Sequence, residues 1–430
     1  MTIKRKNTTW NYHESGPFRA FFLLLFVPFI LSSCYKEIII PEPEADLFEL
    51  NVDVGQEQFI YSSRDTSYSI MRSNPSCFFN GQFMHLKEIR VRGQSALDFR
   101  RKSYAVFLNK PIYITDRYGN EIKELSRFKL ISLANDYTYI ENRISFGILE
   151  EVGIMPLFYK FVELKLNDGT QGIYMLIEDP EQYFKEIGSE FILRRGYNHA
   201  ISDSEYEPSF HYKSLDSYKA RYYEIYNLLT ELEGDSLYTE ISARLNIENY
   251  FRKIGIDYLI QNGDYTDEIY LYSEIEEDAI RYNIIPWDYD DIFDDKPHEI
   301  GITWGMGNLF GARYYETIQD VYDEVGETLI YSIEDDFDYT IARDSFLYNR
   351  YIETITALME TIDENLIDRI FTETENELRT FYESPAVISQ SQYDTQFTNK
   401  ERWQTNMMEK KALLKNRLST IKLTLQIQKK

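Results

Sequence analysis

The order in which two hydrophobic periods follow one another limits the fold of this chain more than any other feature. Residues 47–54 alternate as LFELNVDV, residues 85–91 contain the alternating LKEIRV, and residues 104–108, 112–114 and 128–133 are short β-branched or aromatic runs. A period of two puts successive side chains on opposite faces of a strand. Residues 161–166 and 172–177 flank Asn167, Asp168 and Gly169, types that accept positive φ, and so predict a hairpin. Residues 191–193 are expected to close that sheet. Asn135 and Asp136 are candidate caps for a helix that runs to residue 152 and stops at Gly153.

Beyond residue 200 the period lengthens. Helices are predicted over 219–232 and 247–261, the second with apolar residues at 247, 250, 251, 254 and 258, an Asn246 cap and Gly263 beyond its end. Residues 269–272 and 282–285 predict a second hairpin, ended by Pro286. A loop with Gly301, Gly305, Gly307 and Gly311 leads into long helical stretches that include 343–362 and 401–427. Sheet first and helices after predict an α+β architecture: an N-terminal antiparallel sheet lobe over 47–200 and a C-terminal mainly helical lobe over 201–430. The 36 Tyr and 27 Phe are ample for a core of this size.

Lys4, Arg5, Lys6 and Arg19 precede an apolar run at 21–31, closed by Ser32, Ser33 and Cys34. That order is a secretion signal, and the run falls short of the ~20 residues that a permanent membrane helix needs. Its Leu-Ser-Ser-Cys ending resembles the bacterial lipobox. Residues 1–33 are therefore expected to be a lipoprotein signal peptide, Cys34 the lipidated first residue, and residues 34–46, with Pro41 and Pro43, a tether. The expected location is a bacterial membrane, on its periplasmic or outer face. Cys77 is then left without a disulfide partner and reads as a buried small hydrophobe.

The formal net charge is −25, and loss of the basic leader makes the chain more acidic still. Such a chain repels a polyphosphate backbone and carries no basic stripe, which argues against nucleic-acid binding. Most of the acid excess reads as solvated surface, and part of it is available to hold a divalent metal.

Two groups of residues could carry chemistry. Arg92, Gly93, Gln94 and Ser95, followed by Arg100, Arg101 and Lys102, form a run of cations after a strand and a glycine turn. Such a run suits an anion, with glycine admitting the phosphate and the cations supplying charge and donors; taken alone, a surface turn paired with the abundant acids accounts for it better. The second group is Asn262, Gly263, Asp264, Asp267 and Glu268 at a helix end, followed after a hairpin by PWDYDDIF with Asp288, Asp290 and Asp291. Hard cations need oxygen ligands, which carboxylates from separate segments provide. Phosphoryl transfer needs one acid to orient the nucleophile and another to hold the metal. Ordinary turn residues explain part of the pattern, but Trp287 and Tyr289 between the acids point to a partly buried site.

The strings RGQSALDFRRKSYAVFL, NDYTYIENRISFGILEEVG, VELKLNDGTQGIYMLIED and QNGDYTDEIYLY, the last leading to IIPWDYDDIF, occur in that order over residues 85–300. In this the chain resembles the CotH-like kinase family, which is named for a spore coat protein and has an atypical protein-kinase-like fold. The resemblance implies ATP and Mg²⁺ as cofactors. It also implies Lys102, with Arg92, as phosphate contacts, Asp264 as the catalytic aspartate, and Asp288 and Asp290 as metal ligands, without choosing the principal one. Asn142 and Arg143 match a pair on the family's first helix, and Glu178 matches the acid closing its GxYxxxE string. Glu268 stands where many members carry an asparagine expected to be a second metal ligand.

The leading expectation is a kinase that transfers phosphate from ATP to Ser or Thr of an exported protein. A non-catalytic surface lipoprotein that binds a protein or glycan partner through the same shape is the alternative, and a carboxylate-pair glycoside hydrolase is a third reading.

Overall fold

A computed structural model of the protein describes residues 45–67, 69–93, 95–136, 138–189, 191–195, 201–202, 215–263, 269–276, 279–297, 315–383 and 400–428. The first part runs β1 Leu47–Asn51, α1 Val54–Ser62, β2 Ser76–Phe79, β3 Gln82–Met84, β4 Leu86–Arg92, β5 Ser103–Thr115, β6 Ile122–Ile131, α2 Glu141–Glu151, β7 Tyr159–Leu166 and β8 Gly169–Glu178. Then come α3 Pro180–Glu186, β9 Ile192–Arg195, β10 Ile201–Ser202, α4 Leu215–Glu231, α5 Gly234–Ser242, α6 Ile247–Ile260, β11 Ile269–Glu276 and β12 Ala279–Pro286. Helices α7 Ile318–Val325, α8 Asp336–Arg343, α9 Ser345–Thr361, α10 Glu364–Glu383 and α11 Lys400–Gln428 complete the chain. The fold is α+β, with the large sheet in the N-terminal half and helices in the C-terminal half.

The large sheet has the order β3-β2-β1-β7-β8-β6-β5-β4. It is antiparallel as expected except where β1 lies parallel to β7, since no hairpin joins these two and a long crossover sets their direction. Alternation along β7 and β8 sends side chains into two cores. Val162, Leu164, Tyr174 and Leu176 join the core on one face, whereas Phe161, Ile173, Met175 and Ile177 join the helices on the other. The first core also buries Cys77, a free thiol pushed up to about 12 by desolvation.

Residues 191–193 do not close this sheet. Strand β9 belongs to a second, four-stranded sheet ordered β10-β9-β11-β12. The N-terminal lobe thus gives a strand to the hairpin of the second half, because Leu193 registers opposite Leu271 and both are buried. Two further expectations shift. The runs at 104–108 and 112–114 are one long strand with an irregularity between Phe107 and Ile112, and Gln261 with φ 53°, not Gly263, is the left-handed cap of α6. No described helix is long and apolar enough to cross a membrane.

A buried polar network joins the second sheet to the helices. Arg195 of β9 donates to Tyr250 Oη at 2.8 Å, and Tyr250 donates to Asp338 Oδ1 at 2.7 Å. Burial, with Asp335 beside it, pushes the Asp338 carboxyl up to about 7, while Arg195 and Lys253 pull the other way. A carboxyl raised in the folded state binds its proton more tightly there than in the unfolded chain, so stability is lost as pH climbs from the ordinary carboxylate range toward 7. Asp338→Asn is expected to flatten urea-denaturation stability across that window. Parallel profiles for the wild type and the variant would contradict this.

Candidate active site

Three chain segments meet beyond the ends of β6, α6 and β12. The third carries the acids. Past Pro286 buried and half-buried residues alternate: Trp287 and Tyr289 are buried, 1% and 0% exposed, while Asp288, Asp290 and Asp291 keep part of their surface in solvent. Tyr289 is fixed at both ends: its N–H donates to Asn142 Oδ1 at 2.8 Å and its hydroxyl to Asp257 Oδ1 at 3.1 Å.

The end of α6 is laced to this segment through the backbone. Phe293 N–H donates to Ile260 O at 2.8 Å, Asp294 N–H to Gln261 O at 3.2 Å, and Gly263 N–H to Asp291 O at 3.0 Å. Glycine is needed at 263 because a Cβ there would stand 2.8 Å from Asp291 Oδ2. From the end of β6, Asn135 Nδ2 donates to Asp290 Oδ2 at 3.1 Å. Asp136 turns inward and accepts from the N–H groups of Ile140, Glu141 and Asn142, which starts α2 at Glu141.

Backbone strain gathers at the same place. Eight described non-glycine residues have positive φ, and three of them, Asn74, Asn80 and Asn167, are asparagines, which tolerate it. The other five are Leu133, Tyr139, Gln261, Asp288 and Phe293, all on the three converging segments. Each carries about 1–3 kcal/mol of strain that the surroundings must hold in place, a feature that clusters at functional sites.

The electrostatics show acids that crowd one another. Burial first, then Asp288 and Asp136, drive the Asp290 carboxyl well above the usual range, with the neutral Asn135 amide opposing them. Burial and then Asp294 push Asp291 up to about 7, and burial and then Asp136 push Glu141 up to about 8. Lys410 of α11 pairs with Glu141, lies 4.8 Å from the Phe293 ring, and pulls Asp136, Glu141 and Asp291 down, and Lys296 also pulls Asp291 down. The same helix braces α6, as Arg417 Nε donates to Leu259 O at 2.7 Å and Nη2 to Tyr258 O.

The residues expected from sequence divide as follows. Asp288 and Asp290 come together with Asn135 and Asn142. Asp264, Glu268 and the lipidation candidate Cys34 lie outside the described residues. Arg92 ends β4 opposite Ser103, so Arg92 and Lys102 stand at the sheet end where β6 emerges, and Ser103 Oγ meets Ser132 Oγ at 3.1 Å. The Lys102 ammonium itself is buried, held below its ordinary value by desolvation, and donates to Leu97 O.

Asn142 proves to be a scaffold contact, and so does Glu178, which accepts from Phe158 N–H at 3.1 Å and pairs with Lys123 at 2.7 Å. Lys129 on β6 escaped the sequence reading. It is 8% exposed, its ammonium lies 4.5 Å from the Trp287 ring, and it donates to Tyr270 Oη at 3.3 Å. Its signal in the sequence is a lysine inside the short, mostly apolar run at 128–133. Lys410 gave none, being one of several lysines on a long helix.

The donor set fits a hard cation. Among the described residues two buried oxygens, Asn262 Oδ1 and Asp291 Oδ2, have no hydrogen-bond partner, and the charge of Asp288 helps to raise the Asp290 carboxyl. Among the described residues no three acids, histidines or cysteines are grouped closely enough to hold a metal by themselves, so Asp264 or Glu268, a phosphate or water must complete any such site.

A family model described as CotH kinase protein matches residues 89–421. Inner spore coat protein H of Bacillus subtilis (strain 168) is similar to this chain, 23% identical over an alignment of 246 residues that covers 53% of this chain and 60% of that protein. The match thus spans less than two thirds of that relative's length. With most of its length matched from Ile89 in β4 into the C-terminal helix, the chain belongs to the CotH kinase family.

Proposed function

We propose that this protein is an exported, atypical kinase-like enzyme that transfers phosphate from ATP to Ser or Thr of an extracytoplasmic protein. The observation that carries the reading is the meeting of three strained segments around Asp290 and Asp291, whose carboxyls burial and neighbouring acids push above their ordinary range. Asp264 follows the Asn262–Gly263 turn in sequence and is assigned to orient the acceptor hydroxyl. Asp288, Asp290 and Glu268 are assigned to hold Mg²⁺, and Arg92 and Lys102 to contact the phosphates. When bound, Mg²⁺ supplies positive charge to the phosphate oxygens. The residues of this chain position both partners, and the buried Trp287 and Tyr289 keep the acidic segment rigid. Residues 1–33 act as the signal peptide, Cys34 carries the lipid, 34–46 are the tether, and 47–200 and 201–430 are the two lobes that enclose the site.

The full chain is expected to gain thermal stability from ATP with Mg²⁺ and to pass label from γ-labelled ATP to protein. Asp264→Asn should keep the stabilisation and lose transfer by about 10²–10⁴-fold, the usual contribution of a positioned base. A chain indifferent to saturating Mg·ATP would instead favour a lipoprotein that keeps the shape for partner binding, a reading to which Glu268 lends weight.

A further inference from the structure

Two buried charges on α6 have no part in the chemistry proposed above. Asp257 and Lys253 are 3% and 0% exposed and stand one turn apart, with Lys253 Nζ 2.7 Å from Asp257 Oδ2. Burying an ion pair is expensive, and apolar residues of similar volume often stabilise a protein at least as well. Stability alone is therefore a poor reason for the pair. The other carboxylate oxygen suggests a better one. Asp257 Oδ1 accepts from Tyr289 Oη at 3.1 Å and from Asn262 Nδ2 at 3.4 Å, and the Asp257 carbonyl accepts from Asn262 N–H at 3.1 Å. Tyr289 separates Asp288 from Asp290. Asn262 precedes Gly263, whose N–H is bound to Asp291 O. One carboxylate thus ties the turn after α6 to the acidic segment after β12, and Lys253 holds that carboxylate in place.

We infer that Asp257 is a positioning residue: by way of Tyr289 and Asn262 it sets the register between the Asn262–Gly263 turn and the Asp288–Asp290 segment. Its catalytic consequence rests on the kinase reading, whereas its geometric consequence does not. Both side chains are buried and engaged with one another and with Tyr289 and Asn262, and the effect passes through the two residues that Oδ1 holds. A displacement of about 1 Å at a reacting group is enough to lower a rate roughly 10²-fold.

The test uses the full chain with Asp257→Asn, Tyr289→Phe and the double substitution. Tyr289→Phe removes a single hydroxyl and decides the matter should Asp257→Asn fail to fold. Amide hydrogen exchange is followed without ligand in residues 261–263 and 287–291, with β7 and β8 as controls. Turnover of Mg·ATP is followed by ADP release. Exchange in both segments is expected to rise about tenfold with the strands unchanged, as local opening requires. The rate constant kcat should fall by roughly 10–100-fold with KM within about twofold. The double variant should lose no more than Asp257→Asn alone, since coupled residues are not additive. Unaltered exchange in Tyr289→Phe, exchange raised everywhere alike, or faster local exchange with unchanged kcat overturns the inference. A wild type that neither binds nor turns over Mg·ATP defeats the kinase reading instead, and the exchange result then still decides whether Asp257 ties the two segments.

Discussion

Asp290→Asn is expected to do two opposite things at once: abolish Mg²⁺-dependent nucleotide binding and raise the melting temperature of the ligand-free chain. The loss follows from removing an anionic oxygen where a hard cation has most to gain, since an amide supplies one neutral oxygen in place of a carboxylate. The gain follows from the crowding around that group. Asp290 is hemmed in by burial and by the charges of Asp288, Asp136 and Glu141, and the Asn135 amide at 3.1 Å is the opposing contact. Its carboxyl is raised in the folded state, so ionisation weakens the fold as pH rises above the ordinary carboxylate range, and asparagine removes that penalty. A rise of roughly 2–4 °C at pH 7.5, equivalent to about 1 kcal/mol, should appear in a ligand-free melt, and it should shrink toward pH 4. Binding lost together with a lower melting temperature would make Asp290 a structural acid. Binding retained would move the metal to Asp288 and Asp291.

How much of this was legible in the sequence depended on whether the signal was local. Hairpin β7–β8 could be read because its alternation and its Asn167 turn lie within twenty consecutive residues, and Asn167 does adopt φ 54°. The helix from Asn246 was equally plain, its cap accepting from Asn249 N–H at 3.3 Å. The membership of β9 was not, because a four-residue strand carries no mark of which sheet edge it will meet. At the site, the acids and their aromatic spacing were visible, since Trp287 and Tyr289 alternate with them within four consecutive residues. The residues that hold them were not. Asp257 and Lys253 look like an ordinary i,i+4 pair on a solvated helix face, and the packing of α8, α9 and the segment after β12 around α6 makes that face the inside. Lys410 lies 269 residues from the glutamate it pairs with, a distance over which no spacing rule applies. Gly263 was read as a helix stop, yet its function is to leave room for Asp291.

Arg143→Met is expected to destabilise the protein by about 3–5 kcal/mol, the range for removing one partner of a buried ion pair, and to leave Mg·ATP binding intact. The guanidinium is 1% exposed. Its Nε lies 3.0 Å from Glu377 Oε2 and its Nη2 2.6 Å from Glu377 Oε1, with Glu373 at 3.6 Å and the Tyr159 ring 5.6 Å away. These contacts fasten α2 to α10, on the side of the helix away from the Asn142–Tyr289 bond. Gly147 makes room for them, for a Cβ there would come within 2.8 Å of Arg143 Nη1 and 3.0 Å of Ile370. Gly147→Ala should therefore destabilise the wild type despite the helix propensity of alanine, worth up to ~1 kcal/mol over glycine, and should cost markedly less in the Arg143→Met background. Urea denaturation of the two single variants and the double variant measures that coupling directly. The matching pair Asn142 and Arg143 then separates by role: substitution of Asn142 frees the Tyr289 N–H and disturbs the acidic segment, whereas substitution of Arg143 lowers the melting temperature and spares the ligand response. Loss of Mg·ATP stabilisation in Arg143→Met at a temperature where it is still folded would place the arginine in the site itself.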